Sequence, residues 1–160
     1  MGFFSRFSQA AIEEHFPETQ VLSVDMNQAS VEDSMPELNL QQVLTAHRNW
    51  KTRLQNVLEG TSNEHFDIEV VSQDCHCFLG RWIYSRGKKQ FGHLPEYESV
   101  RAAHADFHAI AGQVLTEHML GDVAKAHHTF KAKFRTASNR NQLELAKLFS
   151  SANVAGINRD

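Results

Sequence analysis

Apolar residues recur at intervals of three and four along most of residues 40–152, and in two places histidines stand where that stripe requires an apolar side chain. The first stripe is Leu40, Val43, Leu44, His47, Trp50, Leu54, Val57 and Leu58, with Asn39 as its N-cap and Gly60 as its stop. A later one, Val100, Ala103, His104, Phe107, His108, Ala111, Val114 and Leu115, starts at Pro95, which suits a first helical turn, and closes at Gly121. Between them a helix is expected over about Ile68 to Tyr84, ending before the turn-rich SRGKKQFGHLP. A last helix is expected from about Asp122 through Ala152, carrying Val123, Ala126, Phe130, Phe134, Ala137, Leu145 and Leu148, with a bend near Ser138 and Asn139 where the stripe is interrupted. Four such helices without a convincing strand predict an all-α fold, an antiparallel four-helix bundle whose interior can gather side chains from several helices around one ligand.

The remaining chain reads as accessory. Phe3, Phe4, Phe7, Ala11, His15 and Phe16 suggest a short amphipathic helix, and the acidic, aperiodic stretch from Pro17 to Pro36 reads as a linker. The expected division is an N-terminal extension over residues 1–37, the bundle over 38–155 and a tail over 156–160. A formal net charge of -3 offers no broad basic field for nucleic acid. No secretory signal and no stretch of transmembrane length is evident, so the cytoplasm is the expected compartment. The only cysteines, Cys75 and Cys77, stand too close together to staple distant segments, which excludes a disulfide framework.

The chain holds 10 histidines, and spacing has to decide which of them carry chemistry. His104 and His108, four apart on a helix, share a face one turn apart and can chelate one ion. His47 lies on an apolar stripe, where an unpaired imidazole costs roughly 1–3 kcal/mol, so it needs a partner. Cys77, in DCHCFLGRW, reads equally as a packed small hydrophobe or as a thiolate ligand. Asp74 and Asp106 stand where either can orient an imidazole, although Asp106 reads more readily as exposed. Trp50 and Trp82 read as core, and the basic run Arg48, Lys51 and Arg53 as a solvated helix face.

Three separated strings, HRNWKTRL at 47–54, CFLGRWIY at 77–84 and HADFH at 104–108, the last preceded by HLPEY, resemble the chemoreceptor zinc-binding family. The resemblance runs from about Leu38 to Ala152. It implies a zinc site of three histidines and one cysteine, carried here by His47, Cys77, His104 and His108. It selects Cys77 over Cys75, since the family's cysteine stands three residues before the glycine. It further implies a cytoplasmic four-helix bundle, often a homodimer, that regulates chemoreceptors or diguanylate cyclases, and sometimes a response to oxidants. Neither a cyclase signature nor a receptor signalling hairpin is found in these 160 residues, so signalling to a partner in trans, or through the N-terminal extension, is expected.

Three imidazoles and one thiolate complete a tetrahedral zinc shell and leave no open position for a catalytic water, which argues for binding and sensing rather than an enzyme. A hemerythrin-like di-iron bundle is the alternative, but it wants bridging carboxylates, and no H-x-x-x-E occurs in the core helices. His65, His76, His93, His118, His127 and His128 match no ligand position. Replacing His104 or His108 with Ala is therefore expected to weaken zinc binding far more than replacing His118 or His127, as measured by chelator competition; equal losses would contradict the spacing argument.

Overall fold

The computed structural model describes residues 40–154. The helix expected over residues 3–16, the linker over 17–36, the Asn39 cap and the tail over 156–160 lie outside the described residues. The helices are α1 (Leu40–Leu58), α2 (Ile68–Ser72), α3 (Phe78–Trp82), α4 (Lys88–Phe91), α5 (Pro95–Met119), α6 (Val123–Thr129) and α7 (Arg135–Val154). One π-helical turn, Ile83–Gly87, joins α3 to α4, and a second, Phe130–Phe134, joins α6 to α7. No strand occurs among the described residues.

Two expected stops are realised by glycine. Gly60 follows α1 at φ 68° and Gly121 follows α5 at φ 79°, left-handed conformations that only glycine adopts without a steric cost. Pro95 occupies the first turn of α5, where its missing N–H has no helical acceptor to lose.

The buried apolar residues form two clusters. One gathers Val43 of α1, Leu79, Trp82, Ile83 and Phe91 of the α3–α4 arm, Tyr97 and Val100 of α5, and Leu145, Leu148 and Ala152 of α7. The other gathers Leu54 and Leu58 of α1, Val71 of α2, Phe107 to Leu115 of α5, and Ala126, Phe130 and Phe134 of the α6–α7 arm. Along α1 and α5 the chain passes from the first cluster to the second; along α2–α4 and α6–α7 it passes back. The order is that of an up-and-down antiparallel bundle, with α5 packed against α2, α6 and α7.

The second arm departs from the continuous helix expected over Ile68–Tyr84. It is cut at residues 73–77 into α2, on one cluster, and α3, on the other, and helix then continues through the supposed turn region as far as Phe91. The cut has a packing cause: a Cβ at Gly80 would collide with the Asp74 carbonyl oxygen, so the bare glycine lets the 73–77 segment fold back on the start of α3. Gly87, which the sequence suggests as a turn residue, lies inside the arm under the Trp82 ring, where a Cβ would come within 2.9 Å.

The fourth arm is also corrected. The departure from α geometry falls at Phe130–Phe134, not at Ser138 and Asn139, and the helix runs through those two positions. The interruption of the apolar stripe is real but has another meaning, since Ser138 and Asn141 are buried polar residues facing inward.

Phe134 anchors the second cluster, with its ring 5.0 Å from Phe107 and 5.3 Å from Phe130, and it is fully buried. Phe134→Ala is expected to lower unfolding free energy by about 3–5 kcal/mol. Leu143→Ala, at an exposed position of the same arm, should change it by no more than about 0.5 kcal/mol. Chemical denaturation of both variants checks the contrast.

Candidate metal centre

Between the two apolar clusters lies a polar layer. His47 of α1 falls between Val43 and Leu54, His104 and His108 of α5 follow Val100, and Asn141 of α7 falls between Phe134 and Leu145. All four are buried. Cys77, half-buried, enters the same layer from the break in the second arm.

The break determines how Cys77 is presented. Cys77 is the N-cap of α3, and its Sγ accepts the Gly80 N–H at 3.2 Å. The fold-back allowed by Gly80 brings both Cys77 Sγ and the Asp74 carbonyl oxygen onto one nitrogen of α5, His104 Nε2, at 3.3 and 3.2 Å. One turn further along α5, His108 Nδ1 lies 2.6 Å from the Val71 carbonyl at the end of α2. Donating its Nδ1 proton there leaves the lone pair of His108 on Nε2, the tautomer a metal requires.

Cys77, His104 and His108 each offer a ligand atom, and these atoms lie within 4.8 Å of one another. A tetrahedral zinc ion with bonds of about 2.0–2.3 Å holds its ligand atoms roughly 3.3–3.6 Å apart, so the 3.3 Å between Cys77 Sγ and His104 Nε2 suits a shared ion. His47 is not part of that group. Its ring packs 4.2 Å from Phe107, and its Nε2 lies 3.0 Å from the Asn141 side-chain nitrogen. Of the four positions, the structure thus brings three together and holds the fourth on Asn141 in the same layer.

Electrostatics favour neutral ligands. Burial, with a smaller contribution from His108, pushes His47 down to about 4. Burial, then the nearby His108 and His47, pushes His104 down to about 3. His108 is lowered chiefly by burial, against the Val71 carbonyl, which raises it. At neutral pH all three rings therefore keep a lone pair. Burial raises the Cys77 thiol, while the backbone N–H groups of Gly80 and Leu79 oppose that shift. A cation beside the sulfur supplies what burial removes, because a metal-bound thiol ionises outright.

The other sequence candidates fall outside the group. The Asp74 carboxylate accepts the Tyr84 hydroxyl at 2.5 Å, and only its backbone carbonyl meets His104. Asp106 is exposed and pairs with Arg140 at 2.8 Å. Cys75 is exposed. Trp82 is buried beside Phe91 and Phe149, and Trp50 packs between Phe66 and Phe107. Arg53 pairs with Glu64, and Arg48 is exposed. His65, His93 and His128 are exposed, but His76 and His118 are half-buried, each with a buried Nδ1 lacking a partner among the described residues. The gathered donors include no carboxylate, as a di-iron centre would need.

The carbonyls of Val71 and Asp74 were not legible as partners, since backbone atoms carry no residue signature. Asn141 was within reach: it stands four after Ala137 and four before Leu145, on the stripe that faces the core.

No helix among the described residues is long and apolar enough to cross a membrane. Neither the curated proteins nor the solved structures compared with the chain include a match. Residues 47–115 match the family model of the chemoreceptor zinc-binding domain, a span that opens at His47, includes Cys77, His104 and His108, and ends before the arm that carries Asn141. Over those residues the chain is thus similar to a zinc-binding domain, and Cys77, His104 and His108 form a group able to hold such an ion.

Proposed function

We propose that this protein is a cytoplasmic zinc-responsive regulatory domain, which holds one zinc ion with Cys77, His104, His108 and His47 and signals its occupancy to a partner in trans. The observation that carries the reading is the convergence of Cys77, His104 and His108 on one point of the bundle interior. His47 supplies the fourth ligand in this reading: it is buried in the same layer and kept neutral, and its ring exchanges the Asn141 contact for the ion. When bound, zinc provides a positive charge that holds Cys77 as a thiolate and ties its four ligands to one point.

The signal follows from where those ligands sit. His47 is on α1, His104 and His108 are on α5, and Cys77 caps α3 at the break in the second arm. Of the three elements, the second arm is the least continuous, so it is the one whose position depends most on the ion. Loss of zinc, or oxidation of the Cys77 sulfur, unties α3 from α5 and lets the surface of that arm change. A homodimer of this chain, or a chemoreceptor or diguanylate cyclase working with it, is the class of recipient that the family suggests.

Hydrogen exchange with zinc and with chelator, on the wild type and on Cys77→Ala, tests this reading. Expected is a folded protein in which amides of residues 73–91 lose protection when zinc is removed, with Cys77→Ala exchanging in the same way whether or not zinc is added. Cooperative unfolding of the whole domain on chelation, or no change beyond the ligands, would overturn it.

A further inference from the structure

Asn141 is fully buried, yet its Oδ1 has no hydrogen-bond partner among the described residues. Its Nδ2 lies 3.0 Å from His47 Nε2 and 3.4 Å from His104 Nδ1, so one amide spans imidazoles of two different helices. A buried acceptor left unpaired costs roughly 1–3 kcal/mol, which asks for a state in which that oxygen is used.

The two histidines of α5 differ on their outer edges. His108 has a dedicated acceptor for its Nδ1 proton, the Val71 carbonyl. His104 has two groups at Nε2, Cys77 Sγ and the Asp74 carbonyl, and the Asn141 amide at Nδ1. A proton on His104 Nε2 suits the Asp74 carbonyl but blocks that nitrogen as a ligand. For Nε2 to face an ion, the proton must sit on Nδ1, in a buried environment where it requires an acceptor. The unpaired Oδ1 is that acceptor. Oxygen and nitrogen of a side-chain amide are nearly the same size, so a half-turn about the Cβ–Cγ–amide axis exchanges them without repacking.

We propose that Asn141 is the positioning residue of the zinc centre, turning its Oδ1 to accept the His104 Nδ1 proton and so presenting His104 Nε2 to the ion. The proposal rests on the ligand set above and adds to it a residue of α7, which otherwise contributes nothing to the site. It also joins the fourth arm to the centre: His104 is then held from α7 on one edge and faces Cys77 on the other. His47, which meets the same amide in this structure, gives up that contact when it turns to the ion and so leaves the amide free to serve His104.

Zinc affinity by competition with a chromophoric chelator, measured on the full chain, tests the assignment with two variants. Asn141→Leu, similar in volume and unable to accept, should bind zinc about 10–100-fold more weakly. Asn141→Asp, which keeps an acceptor facing His104, should remain close to wild type. Ring-nitrogen NMR of the zinc-loaded wild type should find the His104 proton on Nδ1, a readout that a purely structural role would not fix. Wild-type affinity in Asn141→Leu, an equal loss in Asn141→Asp, or a His104 proton on Nε2 would each overturn the proposal; if Asn141→Leu fails to fold, Asn141→Asp and the NMR measurement decide it. Undiminished zinc binding by His104→Ala in the same assay would instead overturn the ligand set, which keeps the two failures distinct.

Discussion

Three imidazoles, a thiol and an amide share the interior of a bundle that would otherwise be filled by aliphatic and aromatic side chains, and the rest of the structure is arranged around that burial. Each such group, taken from water without a partner, costs on the order of 1–3 kcal/mol. The chain offsets the cost by pairing the groups with one another and with backbone. His108 meets a carbonyl of α2, His104 meets the sulfur of Cys77 and the carbonyl of Asp74, and His47 meets Asn141. The layer divides the core in two, with Trp82, Phe91 and Phe149 on one side and Phe107, Phe130 and Phe134 on the other.

The broken second arm is a consequence of the same requirement. A continuous helix at that level would direct its carbonyls along its own axis and leave none for α5. Ending α2 at Ser72 frees the Val71 carbonyl for His108, and starting α3 after Cys77 puts the sulfur at a helix cap, where it accepts the Gly80 N–H. Two glycines permit the close approaches: Gly80 clears the Asp74 carbonyl, and Gly112 of α5 clears Ser72 of α2. Glycine three residues after the cysteine is thus a packing requirement of the site.

Much of this was legible in the sequence because it rests on period and spacing. The α1 and α5 stripes, the stops at Gly60 and Gly121, and the shared face of His104 and His108 follow from 3.6 residues per turn. The second arm runs further than the sequence suggests because Gly87 looks like a turn former when its neighbours are unknown; it is instead a contact with Trp82, whereas Gly92 does end α4. The supposed bend at Ser138 and Asn139 arose because polar residues on a core stripe look like a break in the helix, whereas Asn141 and Ser138 are buried polar members of it. The outer partners of the histidines were illegible for a different reason, since two of them are backbone carbonyls placed by tertiary structure alone.

The account depends on one sulfur and several imidazoles meeting at a single ion. X-ray absorption at the zinc edge, on protein loaded with one equivalent, measures that shell directly. The account predicts four-coordinate zinc with one sulfur near 2.3 Å and three imidazole nitrogens near 2.0–2.1 Å, the sulfur disappearing in Cys77→Ala. A shell without sulfur, or one unchanged by that substitution, would contradict it.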